Sequence, residues 1–249
     1  MTQPSPFENS APPVPKRATS RNAWPWLVAV SAVAAIAAAT LAAAPAVLFM
    51  LLKPLTTVLI IAYAWPRGAE APTQRRLIRT GLVLSLAGDV FLLWPRQGFL
   101  PGLVAFLLAH LAYIAAFCVP LRLGAKPLVF AAYAVVAALI LAALWPGVAP
   151  ALRAPVVAYV ICLALMSAQA AAWWRASATA HAADAALARM AALGGVLFMA
   201  SDSLLAINKF AQPLPLAPLW ILATYWLAQW CIASALRAPP GRSRATAPA

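Results

Sequence analysis

The sequence predicts an all-α polytopic membrane protein, a bundle of eight transmembrane helices, and three observations carry that prediction. Of 249 residues, 65% are hydrophobic and only 9% charged, where a soluble domain carries about 25% charged residues. Leu, Ala, Val and Ile recur in blocks of roughly 20, the length that crosses ~30 Å of hydrocarbon at ~1.5 Å per helical residue. Pro, Arg or Trp closes most of the blocks.

The first span, Trp24 to Ala44, follows the basic residues Lys16, Arg17 and Arg21. A small-residue run at Ala42 to Ala44 resembles a secretory cleavage site, but the apolar stretch is too long for a leader. Pro45 breaks the chain before the second span, Ala46 to Trp65, which Pro66 and Arg67 close. Arg75 and Arg76 precede the third, Leu77 to Trp94. The fourth, Phe99 to Pro120, ends before Arg122, and the fifth, Leu128 to Trp145, starts after Lys126 and Pro127. The sixth, Ala154 to Trp174, lies between Arg153 and Arg175. The seventh, Met190 to Phe210, starts after Arg189, and Pro213 and Pro215 precede the eighth, Leu216 to Leu236. Trp24, Trp26, Trp65, Trp94, Trp145, Trp173 and Trp174 fall at span ends, as an interfacial aromatic belt requires. Residues 23–237 thus read as one transmembrane domain. The flanks 1–22 and 238–249, rich in Pro and polar residues, read as disordered cytoplasmic tails.

The net charge of +13 invites a nucleic-acid reading, but the placement of the 18 basic residues excludes it. Fourteen of them fall in the two tails and in the second-to-third, fourth-to-fifth and sixth-to-seventh connections. Arg96, Arg153 and Lys209 fall on the other side, and Lys53 lies inside a span. Such asymmetry puts both termini in the cytoplasm and fits a bacterial inner membrane. Cys118, Cys162 and Cys231 sit inside spans, far apart, and form no metal, redox or disulfide motif. Phosphate-binding loops and nucleophile elbows are absent from the sequence.

Of five acidic residues only Asp89 and Asp202 lie within spans. A central carboxylate opposes insertion by roughly 2.5–3.5 kcal/mol, so its default reading is functional, facing the bundle interior; the alternative is a purely structural pairing with Lys53. Depth discriminates between these. Asp89 lies five residues before Trp94 and Asp202 seven before Lys209, while Lys53, His110 and Tyr225 follow Pro45, Pro101 and Pro218 by eight, nine and seven. All five therefore lie on the order of 8–14 Å below one surface. Helical spacing adds polar neighbours on the same faces: Thr56 and Thr57 beside Lys53, Ser85 beside Asp89, Tyr113 beside His110, Gln229 beside Tyr225, and Lys209 two turns above Asp202. For His110, Tyr113 and Gln229 taken singly, an interhelical hydrogen bond is sufficient explanation. Gly88, Gly102, Gly194 and Gly195 suit close helix contact, and Pro54, which lacks a backbone donor, suits a bend in the second helix beside Lys53.

Two carboxylates in unequal surroundings, with Lys, His and Tyr nearby, suit acid–base cleavage of an acetal-like or enol-ether bond through an oxocarbenium ion. A metal site would have to recruit both aspartates with the single intramembrane histidine, and neither a metal nor a cofactor is expected. A proton- or ion-coupled transporter and a non-catalytic lipid-binding protein are the alternatives. No inverted repeat and no second polar layer favours the former.

The motifs Lys53-Pro54, Gly88-Asp89 with Leu92, Gly102-x-x-x-Phe106-x-x-x-His110-x-x-Tyr113, Gly195-x-x-Phe198-x-x-Ser201-Asp202 and Tyr225-x-x-x-Gln229 resemble the YhhN-type lysoplasmalogenase family over about residues 46–236. What the resemblance implies is an eight-helix membrane hydrolase that cleaves the vinyl-ether bond of lysoplasmalogens, releasing a fatty aldehyde and a glycerophospho-headgroup. Its substrate partner would be a lysolipid within the bilayer. Asp89 and Asp202 are then the expected catalytic pair, supported by Lys53, His110, Tyr113, Ser201, Tyr225 and Gln229, with Lys209 at the rim to meet the phosphate.

Overall fold

In a computed structural model of the chain, which describes residues 23–41, 43–94 and 96–239, eight α-helices follow one another. They are α1 (Trp24–Thr40), α2 (Ala46–Ala64), α3 (Pro72–Phe91), α4 (Phe99–Cys118), α5 (Pro127–Leu144), α6 (Pro150–Ala176), α7 (Ala182–Ala206) and α8 (Ala217–Ser234). Short 3-10 turns follow α5 (Trp145–Gly147) and α6 (Ser177–Thr179), and a π turn, Ile207–Ala211, extends α7. Of the disordered tails expected from the sequence, 1–22 and most of 238–249 lie outside the described residues.

Proline punctuates this order. It occupies one of the first two positions of α1, α3, α5, α6 and α8, where its missing N–H has no intrahelical acceptor to lose. Pro45 caps α2 in an extended conformation, and α2 continues through Pro54. Helix starts differ from the apolar spans where a polar first turn precedes the oily part: α3 begins at Pro72 rather than Leu77, α6 at Pro150 rather than Ala154, and α7 at Ala182 rather than Met190.

Five helices, α2, α4, α5, α6 and α7, are long and apolar enough to cross a membrane when α5 to α7 are counted with their following turns. α1 has 17 residues, and the first half of α3 carries Gln74, Arg75, Arg76 and Arg79. Large apolar side chains stay exposed around the outside, among them Val30, Leu51, Leu128, Leu139 and Leu227. A surface this apolar is stable against lipid, not water. The chain is a membrane protein. Trp26, Trp65, Trp94, Trp145 and Trp174 are exposed, whereas Trp173 is buried in the core beside Phe117, 6.2 Å between ring centroids, so it does not join the outer belt.

α8 packs on α1, α2, α3 and α7; α4 bridges α3 and α6; α5 leans on α6 from outside. At one end Arg67 donates from Nε to the Leu236 carbonyl (3.0 Å), Gly68 N–H donates to the Arg237 carbonyl (2.9 Å), and Arg237 pairs with Glu70 and Asp184. The α2–α3 connection, the start of α7 and the end of α8 therefore share one face of the bundle. Gly88 fixes the opposite half of α3, since a Cβ there would stand 2.5 Å from the Phe106 ring of α4.

Gly88→Ala should consequently force α3 from α4 and destabilise the protein by about 1–3 kcal/mol, read as a lowered Tm in detergent. An unchanged Tm would contradict the packing described.

Candidate active site

Asp89 is buried at 1% exposure and Lys53 at 6%. A carboxylate withdrawn from water is tolerated only where charge and donors replace the lost solvation. Two helices supply them. From α2, Lys53 Nζ approaches Oδ1 at 3.7 Å and donates to the Asp89 backbone carbonyl at 3.2 Å. Thr57, one turn after Lys53 and so on the same face, donates to Oδ2 at 2.6 Å. From α8, the Tyr225 hydroxyl donates to the same oxygen at 2.8 Å. Trp226 Nε1 in turn donates to Thr57 Oγ1 at 3.3 Å, holding its rotamer. Thr56 faces the other way and hydrogen-bonds Ser31 of α1 at 2.7 Å.

Asp202, on α7, has different company. The Tyr159 hydroxyl of α6 donates to its Oδ2, and among the described residues no cation pairs with it. Ser201 beside it donates to the Ile221 carbonyl at 3.0 Å and so ties α7 to α8. His110 is fully buried edge-on to Phe198 and Tyr159, with ring centroids at 4.6 and 5.2 Å, and neither ring nitrogen has a protein partner among the described residues. Phe198 also meets Tyr225 edge-on at 5.6 Å. Contacts therefore run unbroken from Asp89 through Tyr225, Phe198, His110 and Tyr159 to Asp202.

A cavity of about 410 Å³ exposes both carboxylates to one space, with Lys53, Tyr225 and Tyr159 also in its wall. Most of the remaining lining is apolar, including Leu103, Phe106, Ile140, Leu163 and Leu222. The π turn borders it: Lys209 Nζ lies 4.0 Å from the centre of the Phe99 ring, and Asn208 Oδ1 accepts from Leu214 N–H at 2.9 Å. Such a chamber combines long apolar walls with two acids at one polar patch. Among the described residues no three His, Cys, Asp or Glu side chains are grouped as metal ligands.

Of the residues singled out in the sequence, Lys53, Asp89 and Tyr225 touch, Asp202 and Lys209 share their cavity, and Ser201 reaches its wall. Tyr113 and Gln229 lie off the cavity and pair with one another, the tyrosine hydroxyl donating to Gln229 Oε1 at 2.8 Å with Ser85 at 3.5 Å, while Gln229 Nε2 has no partner among the described residues. Tyr159 escaped the sequence reading, and the reach of Thr57 to another helix did too. Tyr159 stands nine residues after Pro150, so the depth arithmetic applied to the other spans points to it. Thr57 was visible beside Lys53 but carried no sign that it reaches another helix.

Residues 48–236 match the model of the YhhN family, a segment that contains all of these side chains. The chain is similar to the lysoplasmalogenase TMEM86B of Homo sapiens, 37% identical over 194 residues, 76% of each chain. It is also similar to the lysoplasmalogenase TMEM86A of Homo sapiens, 36% identical over 169 residues, 65% of each chain. To the lysoplasmalogenase of Mycobacterium tuberculosis (strain CDC 1551 / Oshkosh) it is 35% identical over 161 residues, 60% of this chain and 54% of that one. No solved structure matches.

Removing one partner of a buried ion pair costs more than removing both. Lys53→Met should destabilise the protein by about 3–5 kcal/mol in detergent unfolding, and adding Asp89→Asn should restore more than half of the loss. A single variant as stable as the parent would show the pair to be energetically idle.

Proposed function

Because the chain belongs to the YhhN family, we propose that it is a membrane-embedded lysoplasmalogenase, hydrolysing the vinyl-ether bond of a single-chain lysolipid to a fatty aldehyde and a glycerophospho-headgroup. The observation that carries this reading is a pair of carboxyl groups with unlike partners on one apolar cavity. Vinyl-ether hydrolysis needs that inequality. One acid must deliver a proton to carbon, and one carboxylate must stabilise the cation that results.

Asp202, held among the described residues by the Tyr159 hydroxyl alone, is the proton donor in this proposal. Its proton goes to the alkenyl carbon remote from oxygen, and the π electrons of the double bond form the new C–H bond. The adjacent carbon becomes an oxocarbenium ion. Asp89, ion-paired with Lys53 and bridged by Thr57 and Tyr225, carries the negative charge that steadies this ion, and its Oδ1 takes a proton from the water that attacks it. The hemiacetal then collapses: its hydroxyl proton leaves as the C–O bond to glycerol breaks, the glycerol oxygen is protonated, and the aldehyde departs. The proton gained by Asp89 balances the one given by Asp202, and water in the cavity returns it. Transition-state charge is best stabilised by groups already fixed in place, and Asp89 has four such contacts before substrate arrives.

We propose that all eight helices span the bilayer of a bacterial inner membrane with both termini cytoplasmic, supported by the basic connections and by the shared face of the α2–α3 connection and the α8 end. The cavity then lies in the outer half, the alkyl chain along its apolar walls and the phosphate near Lys209. His110 orients Tyr159 from behind.

Purified protein given a lysoplasmenyl-ethanolamine should release aldehyde, detected by mass spectrometry. Asp89→Asn and Asp202→Asn should each lower kcat by about a thousandfold or more at unchanged fold, on the scale of losing a principal acid–base or charge-stabilising group. Full turnover in either variant removes that residue from the mechanism.

Lys209→Ala should raise KM several-fold with kcat unchanged, the signature of lost ground-state binding. A fall in kcat at constant KM would instead place Lys209 at the reacting bond.

A further inference from the structure

At the end of α3 opposite Asp89, positive charge accumulates without a paired counter-charge among the described residues. Arg75 and Arg79 lie one helical turn apart, on one face, and are close enough to act on each other electrostatically. Like charges at this spacing repel. The carboxylates nearest in the fold, Glu70 and Asp184, are both taken by Arg237. Neither Arg75 nor Arg79 forms an ion pair or donates a side-chain hydrogen bond among the described residues, and the Nε atom of each is buried without a partner. Gln74, on the same turn, is 7% exposed and its Nε2 is likewise unpartnered. The Arg79 guanidinium lies over the Trp65 ring, its Cζ 4.5 Å from the ring centre, as that of Arg67 does over Tyr63 at 4.5 Å.

Each guanidinium presents a planar fork of donors suited to phosphate oxygens, and the two stand on one face of α3 with Arg79 also held against an aromatic ring. Trp65 and Trp174, exposed at helix ends, are suited to the boundary between headgroups and acyl chains. A phosphate attached to a lipid would place its chains beside this apolar surface, whereas a free phosphate would gain nothing from it. We propose that Arg75 and Arg79 form a binding site for the phosphate of an anionic phospholipid, about 15 Å along α3 from the carboxylate chamber. The site is independent of the hydrolase reading, and its test requires no turnover.

Detergent-purified protein would be titrated with phosphatidylglycerol, phosphatidylcholine and inorganic phosphate, with Tm as the readout. Phosphatidylglycerol should raise Tm saturably, and the other two should not. The double change Arg75→Gln, Arg79→Gln should weaken the apparent affinity about thirtyfold, given the per-residue attraction of basic side chains to anionic headgroups. The control pair Arg122→Gln, Lys126→Gln should leave it within twofold. Arg75→Lys, Arg79→Lys keeps the charge but loses the fork and should give an intermediate loss, which also covers failure of the glutamine variant to fold. Any of four results overturns the site: no Tm rise in the parent, an equal rise in the glutamine or lysine variants, an equal loss in the control pair, or an equal effect of inorganic phosphate.

Discussion

The pairing of Lys53 with Asp89 constrains the structure more than any other contact. Both side chains are buried in a bundle whose exterior is made for lipid, so each has lost most of its solvation and is stabilised chiefly by the other. That requirement dictates where α2 and α3 meet. It also recruits α8, since a buried carboxylate with one cation retains unsatisfied lone pairs, and Tyr225 and Thr57 fill them. Gly88, one residue before Asp89, lets α4 come close enough to wall the chamber. Helix order, a glycine contact and a threonine rotamer thus follow from the cost of one buried charge.

The second carboxylate is kept apart by the same economy of partners. α6 and α7 offer Asp202 a tyrosine hydroxyl and no cation, so the two acids differ by position in the bundle rather than by residue type. Phe198 and His110 stand between the tyrosines that hold them, packed edge-on. Edge-to-face packing of this kind is favourable, and in the mechanism proposed above it would hold the two tyrosines in place before charge develops.

Much of this was legible in the sequence because membranes impose a ruler. Where Pro and Trp mark helix ends and rise per residue is constant, depth can be counted, and counting brought Lys53, Asp89, Asp202, His110 and Tyr225 to one level. Depth does not fix azimuth. Periodicity put Tyr113 near His110 and Gln229 near Tyr225, yet those two turn toward each other and away from the chamber, because which neighbouring helix a face meets depends on the whole bundle. Tyr159 went unseen for another reason: uncharged, in a segment of Ala, Val and Leu, it reads as one more apolar residue until its hydroxyl has a partner. Helix starts at Pro72, Pro150 and Ala182 were missed because hydropathy sees only the oily part of a helix, whereas backbone hydrogen bonding continues through Gln, Arg and Asp.

Infrared spectroscopy reads the division of roles between the two aspartates directly. In mildly acidic buffer the resting protein should show the stretching band of a protonated carboxyl group in an apolar environment, lost in Asp202→Asn and retained in Asp89→Asn. A band that survives in Asp202→Asn and disappears in Asp89→Asn would reverse the assignment and contradict the account.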